Sequence, residues 1–187
     1  FQFLFDNVEP ITVLSPNGAT IKVVGLPVMG KLECGDATQE VSNDAALGAL
    51  DWSHGFFPYY TRWIWALGCG TEKNKTIGFN LCCGVHDDTT RSISENILWI
   101  NGVPERLPKL SFEKQTPNCW IIQSHDKSIN LSFTAITGRH ANTDYLFVSS
   151  KLMHSYGEFN GTIHDATGRE VLVSATPGII EEHEANW

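Results

Sequence analysis

The sequence of 187 residues has little charge, and positive charge is the scarcer sign. Only 18% of its residues are charged, 13 Lys and Arg stand against 21 Asp and Glu, and the formal net charge is −8. The basic residues form no cluster along the chain. Nucleic acids and anionic membrane surfaces are held mainly by basic side chains. The composition therefore predicts no nucleic-acid partner and argues against binding to an anionic membrane surface.

Long apolar runs are absent as well. No stretch approaches the roughly 20 residues that a membrane-spanning helix needs, so we expect no integral membrane span. The chain begins with Phe1 and has no secretory leader, and we expect it to be a piece of a longer protein whose N-terminal part is missing. The sequence leaves the oligomeric state open.

The cysteines lack the spacing of a metal site. The five are Cys34, Cys69, Cys82, Cys83 and Cys119. No C-x-x-C pair is present and no histidine lies at zinc-finger spacing, so no structural metal is expected. An odd number without regular spacing favours free thiols in a reducing compartment, and the cytoplasm is the expected location.

Motifs of the common cofactor-dependent and nucleophilic enzymes are also missing. The sequence contains no Gly-rich phosphate loop, no G-x-S-x-G motif and no H-E-x-x-H motif. Hydrolase, kinase and dehydrogenase functions therefore have little support. We expect neither a cofactor nor a metal.

What the sequence does have is the pattern of an antiparallel β-protein. Short apolar runs alternate with turn signals such as Ser-Pro-Asn-Gly at 15–18 and Asn-Gly at 101–102. No alternation of strands with helices is visible. The pattern predicts an all-β fold with little helix, as an antiparallel meander that closes into an up-and-down barrel or, alternatively, forms a β-sandwich.

Four segments do not follow the strand pattern. Residues 35–50 are rich in Ala, Asp and Ser and are predicted to form a connector with one helical turn. Residues 86–88 and the polar residues 137–144 are predicted to form loops. The acidic segment 178–187 is predicted to form a short solvated helix, and its Glu181 and His183 lack the spacing of a metal site.

Residues 51–65 combine aromatic rings with polar groups. Three of the six tryptophans, Trp52, Trp63 and Trp65, lie there beside Asp, His and Arg side chains. Large aromatic side chains next to titratable groups indicate a binding surface as well as a core.

The predicted hairpin 57–67/76–85 has no face that looks solvated. If Trp63 and Trp65 share a face with Phe79 and Leu81, the opposite face is small, mostly uncharged and rich in glycine. Glycines inside a strand mark close approach by a ligand or by another backbone. One face is therefore expected to be core, and the other to line a cavity or to pack on a second sheet.

An ordered series of short motifs resembles one family. The motifs are Asp51-Trp-x-x-Gly55-x-x-Pro58-x-x-Thr61-x-Trp63-x-Trp65-Ala66, Gly78-Phe79-Asn80-Leu81, Glu95-Asn96-x-x-Trp99-x-x-Gly102, Gly157-x-Phe159-x-Gly161 and Gly178-x-x-Glu181-x-His183-x-x-x-Trp187. Over residues 20–187 the series resembles the DUF2804 family. The resemblance implies an architecture similar to the lipocalin-like group of hydroxyneurosporene synthase, whose members tend to have two β-barrel halves and to handle apolar ligands without a cofactor.

The resemblance also implies a division of the chain. DUF2804 proteins are usually longer at the N-terminus, so residues 1–50 are expected to be the hairpin and connector that end a truncated first barrel half. Residues 51–187 are expected to form a lipocalin-like β-barrel domain.

The candidate ligand-binding residues are Arg62, Trp63, Trp65, Asn80, Asn96 and Trp99. Trp63 and Trp65 alternate on one strand face, which suits core packing or a stacking wall for a flat apolar ligand. Arg62 is the only charge between residues 56 and 70. It is expected either to pair with Asp51 or Glu95, or to anchor a carboxylate or carbonyl of the ligand.

The candidate catalytic residues are Asp51, His54 and Glu95. Asp51 and His54, three residues apart, suit either turn capping or an acid/base pair at a pocket mouth. Glu95 is either the partner of Arg62 or a proton donor, since a hydratase or isomerase needs one such group in an apolar cavity.

Three functions follow as hypotheses. The first is binding of a hydrophobic small molecule, such as a lipid, a terpenoid or a polyketide-like compound, in a β-barrel cavity. The second is a cofactor-independent isomerase, cyclase or hydratase that acts on such a molecule. The third is a carbohydrate-binding β-sandwich with a coplanar row of exposed tryptophans.

Overall fold

The computed structural model describes residues 7–42, 45–84 and 94–187, together with the backbone of residues 2–3. Within these residues it contains fourteen strands and no helix. The first five strands are β1 Gln2–Phe3, β2 Ile11–Ser15, β3 Gly18–Cys34, β4 Ala37–Val41 and β5 Leu47–Gly55. The others are β6 Tyr60–Glu72, β7 Lys75–Cys83, β8 Ile97–Ile100, β9 Val103–Arg106, β10 Leu110–Thr116, β11 Cys119–Ser124, β12 Ile129–Tyr145, β13 Val148–His164 and β14 Glu170–Asn186.

The strands form two antiparallel sheets. In the five-stranded sheet the long β3 pairs with β1, β2, β4 and β5. The nine-stranded sheet has the order β10-β11-β12-β13-β14-β6-β7-β8-β9 and curls into a half-barrel. The predicted all-β fold and antiparallel meander are confirmed, and the curled sheet is consistent with the barrel or the sandwich. The predicted domain boundary at residue 50 falls inside β5, because the first sheet continues to Gly55.

The two hairpin turns that the sequence indicated most clearly are present. Ser15 pairs with Gly18 across the first turn, and Ile100 pairs with Val103 across the second. Asn101 and Gly102 both have positive φ, 51° and 82°. This backbone conformation matches the twist of the two strands, and it is the reason that Asn-Gly is so common in two-residue hairpins.

Three of the segments that were predicted not to be strands are strands. Residues 37–41 form β4, residues 137–144 lie inside β12, and residues 178–186 lie inside β14. These predictions of helix and loop were wrong, because the backbone groups of the polar and acidic residues there pair with long neighbouring strands, on one side for residues 37–41 and 137–144 and on both sides for residues 178–186. The loop predicted at residues 86–88 lies outside the described residues.

The hairpin between β6 and β7 turns more tightly than expected. The predicted hairpin 57–67/76–85 left residues 68–75 between its strands, but Glu72 pairs with Lys75, so Lys73 and Asn74 alone form the turn. Both turn residues have positive φ, 48° and 64°. A two-residue turn of this kind sets the register of the whole hairpin.

The resulting register is one residue away from the one assumed in the sequence analysis. Trp65 pairs with Cys82, and Ala66 pairs with Leu81. The predicted grouping of Trp65 with Leu81 on one face is therefore wrong, because a shift of one residue exchanges the two faces of a strand. Trp65 instead shares its face with Asn80.

The two faces of this hairpin contact two separate cores. Inside the half-barrel, the rings of Phe79, Phe133 and Phe159 pack together with centroid separations of 5.0 and 4.6 Å. Between the sheets, Val24 of β3 belongs to a second core with Trp99 of β8. Both faces are thus covered, as the lack of solvated side chains predicted.

The glycines of β6 and β7 mark close approach by other protein groups. A Cβ atom built on Gly78 would lie 2.8 Å from a methyl carbon of Val24 in the other sheet. One built on Gly68 would lie 2.4 Å from the ring of Phe79. Of the two predicted reasons for glycine here, close approach by another backbone applies to Gly78, whereas Gly68 is explained by contact with a core ring, which was not predicted.

Candidate functional site

A cavity of about 380 Å³ lies between the two sheets, beside the inter-sheet core. β3 and β5 contribute Lys22, Asp51 and Ser53, while β6, β7 and β14 contribute Trp63, Trp65, Cys82 and Glu181. Phe57, Glu95 and Trp187 complete the lining. Four of the candidate residues predicted from the sequence, Asp51, Trp63, Trp65 and Glu95, thus line one cavity.

Lys22 lies at the floor of this cavity. It was not among the candidate site residues predicted from the sequence. It is 4% exposed, and its Nζ atom lies 2.5 Å from Oδ2 of Asp51 and 2.9 Å from Oε2 of Glu95. Glu95 is 2% exposed, whereas Asp51 faces the opening. The overlooked signal was a lysine inside the apolar run of β3, since a buried ammonium group requires carboxylate partners.

The carboxylates of Asp51 and Glu95 stabilise the protonated, positively charged form of Lys22. Burial alone would lower the pKa of Lys22, but the charges and hydrogen bonds of Glu95 and Asp51 outweigh it, so that pKa is raised above its ordinary value. The floor of the cavity is therefore an ammonium group between two carboxylates.

Asn80 connects the charged cluster of Lys22, Asp51 and Glu95 to the aromatic wall of the cavity. This wall consists of Phe57, Trp63, Trp65 and Trp187. Its Oδ1 atom accepts a hydrogen bond of 2.7 Å from Nε1 of Trp65, and its Nδ2 atom donates one of 2.8 Å to the backbone carbonyl of Glu95. Asn80 is fully buried behind the wall. Its contacts orient the indole of Trp65 and the backbone at Glu95.

Glu181 holds the second tryptophan of the wall. Its Oε1 atom accepts a hydrogen bond of 2.7 Å from Nε1 of Trp63, and its other carboxylate oxygen contacts Nε2 of His154. Trp187 is held separately, because its Nε1 atom donates a hydrogen bond of 2.7 Å to the Thr61 hydroxyl. All three indole N–H groups that border the cavity thus donate to protein acceptors.

His183 of β14 packs against Trp63 of the neighbouring strand β6. Its ring makes an edge contact with Trp63, with the centroids 4.3 Å apart, and its Nε2 atom lies 2.8 Å from the Ser150 hydroxyl. Partial burial and the nearby His154 lower the pKa of His183, while Glu181 acts in the opposite direction.

Four predicted site residues lie elsewhere. His54 is exposed on the outer face of β5 and stacks on Trp52, because three positions along a strand place it opposite Asp51. Arg62 is exposed on the other face of β6, and Lys22 occupies the place beside Asp51 and Glu95 that was expected for it.

The other two, Asn96 and Trp99, are buried and bonded within the protein. Asn96 accepts a hydrogen bond from the backbone N–H of Cys82 and donates one to the carbonyl of Pro108. Trp99 donates from Nε1 to the carbonyl of Glu9 over 2.8 Å. Both side chains connect separate segments of the chain, and neither lines the cavity.

A larger open groove lies at another part of the sheet contact. It encloses about 940 Å³ and is lined by residues that include Pro27, Leu47, Leu67, Tyr156 and Ile179. None of its described lining residues is charged. It offers apolar area without the buried polar groups that orient a ligand in the smaller cavity.

The described residues contain no group of three or more His, Cys, Asp and Glu side chains that could hold a metal ion. In the same part of the chain none of the five cysteines forms a disulfide, and Cys82 is buried while its neighbour Cys83 is exposed, as expected for adjacent strand residues. No helix that could cross a membrane occurs among these residues.

The family described as "Domain of unknown function (DUF2804)" matches residues 17–187, which include every residue that lines the cavity. The chain belongs to the DUF2804 family. No curated protein and no solved structure matches it. For this DUF2804 chain the likeness to lipocalin-type proteins stays a prediction.

Proposed function

We propose that this DUF2804 protein binds a hydrophobic small molecule, of lipid, terpenoid or polyketide-like character, in the cavity between its two sheets. The observation that carries the proposal is that four aromatic side chains, Phe57, Trp63, Trp65 and Trp187, border one cavity above a charged floor. Aromatic rings supply apolar contact area, and a few fixed polar groups orient the bound molecule.

The size of the cavity supports the same proposal. Small-molecule sites commonly enclose about 300–1,000 Å³, and this one encloses about 380 Å³. Trp187, at 48% exposed, borders the opening, while Lys22 and Glu95 are buried at the floor. A flat molecule would lie between the indoles with one end at the floor.

A cofactor-independent isomerase, cyclase or hydratase is the second candidate. It is favoured by the presence of two predicted proton carriers, Asp51 and Glu95, in the cavity lining. Against it stands the contact of both carboxylates with the Lys22 ammonium, since a proton donor must hold its proton. Binding without chemistry therefore has the stronger support.

Carbohydrate binding has less support. Of the two half-exposed tryptophans, Trp52 lies in β5 of the five-stranded sheet, on the face that points away from the cavity, whereas Trp187 follows the end of β14 of the nine-stranded sheet. Stacking on a sugar would call for a shared flat row of exposed rings.

The test begins with mass spectrometry of an organic extract from the natively purified protein. A stoichiometric apolar molecule is expected, and its binding should be reproduced by titration followed by tryptophan fluorescence. Trp65→Ala should weaken that binding by at least about fivefold, since stacking on one aromatic ring contributes roughly 1–3 kcal/mol.

The matched control is Tyr156→Ala in the larger groove. Equal losses in Trp65→Ala and Tyr156→Ala, or a loss only in the latter, would move the site out of the cavity. Tight binding of a soluble sugar with no response to apolar compounds would overturn the proposal.

A further inference from the structure

We propose that the molecule bound in this cavity carries a positive charge, as a protonated amine or a quaternary ammonium group on an apolar, flat body. The inference rests on the proposed function and specifies the class of its ligand. It follows from the charges and hydrogen-bond donors around the cavity.

The charges of the lining are unbalanced. Among the described lining residues there are three carboxylates, Asp51, Glu95 and Glu181, and one ammonium group, Lys22. Lys22 contacts two of the carboxylates, so that cluster keeps one negative charge in excess. The third carboxylate, Glu181, contacts the imidazole of His154 instead of an ammonium group. In a partly buried site, unbalanced negative charge favours a cation over a neutral or anionic molecule.

The donors of the wall are already in use. The indole N–H groups of Trp63, Trp65 and Trp187 donate to Glu181, Asn80 and Thr61. The hydroxyl group of Ser53 donates to Thr20 over 2.8 Å. A carboxylate or carbonyl on the ligand would therefore find hydrogen-bond acceptors and few donors. An ammonium group would find acceptors to which it can donate hydrogen bonds.

The aromatic faces suit the same charge. With their N–H edges bonded into the protein, the tryptophans offer ring faces, which attract cations. Lys22 already makes such a contact, since its Nζ atom lies 6.0 Å from the ring centroid of Trp65. Carboxylates next to aromatic faces are the combination that recognises organic cations.

The experiment uses three probes with one naphthalene body: 1-naphthylmethylamine, which is protonated at pH 7, 1-naphthylmethanol, which is neutral, and 1-naphthoate, which is anionic. Isothermal titration calorimetry with the full 187-residue chain gives the three dissociation constants. The amine is expected to bind at least about tenfold more tightly than the alcohol, and the naphthoate most weakly.

The outcomes separate the two proposals. If the alcohol or the naphthoate binds as tightly as the amine, the cationic ligand is overturned while apolar binding in the cavity stands. If none of the three binds, the proposed function fails, and the inference fails with it.

A variant that removes one charge tests whether the preference for the amine arises in the cavity. Glu181→Gln keeps an acceptor for Trp63 but removes the charge, so it should lower the amine-to-alcohol affinity ratio by at least about threefold. Glu184→Gln removes the same charge from a residue of β14 that does not line the cavity, and it should leave the ratio unchanged. Equal ratios in the two variants would overturn the role of the cavity charge.

Discussion

The ammonium nitrogen of Lys22 lies 2.9 Å from Oε2 of Glu95, and this contact joins the five-stranded sheet to the segment that leads into β8 of the nine-stranded sheet. Both side chains are nearly inaccessible to solvent. A buried pair of this kind is sensitive to the loss of one partner, because the remaining charge stays buried without compensation.

Replacing Lys22 should therefore destabilise the protein strongly. Lys22→Met is expected to lower the free energy of unfolding by about 3–5 kcal/mol, since Glu95 would be left buried and unpaired. Chemical denaturation followed by circular dichroism measures this change. Lys31→Met is the control, because its pair with Glu33 is exposed and should contribute less than about 1 kcal/mol.

A second variant separates charge from packing. Lys22→Met combined with Glu95→Gln removes both charges and should recover a large part of the lost stability. If Lys22→Met alone is as stable as the wild type, the pair does not hold the sheets together.

The hydrogen bonds of Asn80 give a second prediction. Asn80→Ala would leave the indole N–H of Trp65 and the carbonyl of Glu95 without their partner, at a cost of about 2–4 kcal/mol of unfolding free energy. The emission maximum of tryptophan should shift as well, because the surroundings of Trp65 change. Asn142→Ala, on the exposed part of β12, should alter neither quantity, and similar effects in the two variants would contradict the assigned role of Asn80.

The close approach of the two sheets at Gly78 gives a third prediction. The new Cβ atom of Gly78→Ala would lie 2.8 Å from the side chain of Val24 and 3.1 Å from its backbone, so the sheets must separate locally. The expected loss of stability is about 1–3 kcal/mol, measured as a lower denaturation midpoint. Gly70→Ala, whose Cβ would have its nearest neighbour at 3.4 Å, serves as the control and should cost less. A neutral Gly78→Ala would mean that the sheets are not packed at this distance.

The partly buried thiol of Cys69 gives a fourth prediction. Burial raises the pKa of Cys69 to about 11, so almost no thiolate is present near neutral pH. In the native protein at pH 7.5 (about one unit below the ordinary thiol pKa), iodoacetamide should modify the exposed Cys34 at least about a hundredfold faster than Cys69. Peptide mass spectrometry after timed quenching gives both rates. In denaturant the two rates should become similar, and equal rates in the native protein would contradict the burial of Cys69.

Part of the candidate site could be predicted from residue type and local spacing. Asp51, Trp63, Trp65 and Glu95 drew attention because large rings and isolated carboxylates are unusual in otherwise apolar strands, and all four line one cavity. Lys22 was missed because it lies far from them in the chain. Only its position inside an apolar strand indicated that it needed a buried partner.

Other candidates show where local spacing misleads. Asp51 and His54 were paired as neighbours in a turn, but in the strand β5 an odd separation sends them to opposite faces. The segments 137–144 and 178–186 are polar or acidic, and propensity alone does not favour a strand there. Their strand structure comes from backbone pairing with long neighbours.

The all-β class, the Asn-Gly turn and the family could be inferred from the sequence alone, because alternation, turn chemistry and motif order are properties of neighbouring residues. Which strand faces contact each other depends on the register of the strands and on the packing of the two sheets. The two-residue turn at Lys73 and Asn74 set the register of β6 and β7, and with it the face that Trp65 shares with Asn80. Packing of the two sheets then brought Lys22 to Glu95. Contacts between distant segments depend on how the two sheets stack, which is not encoded in a short stretch of sequence.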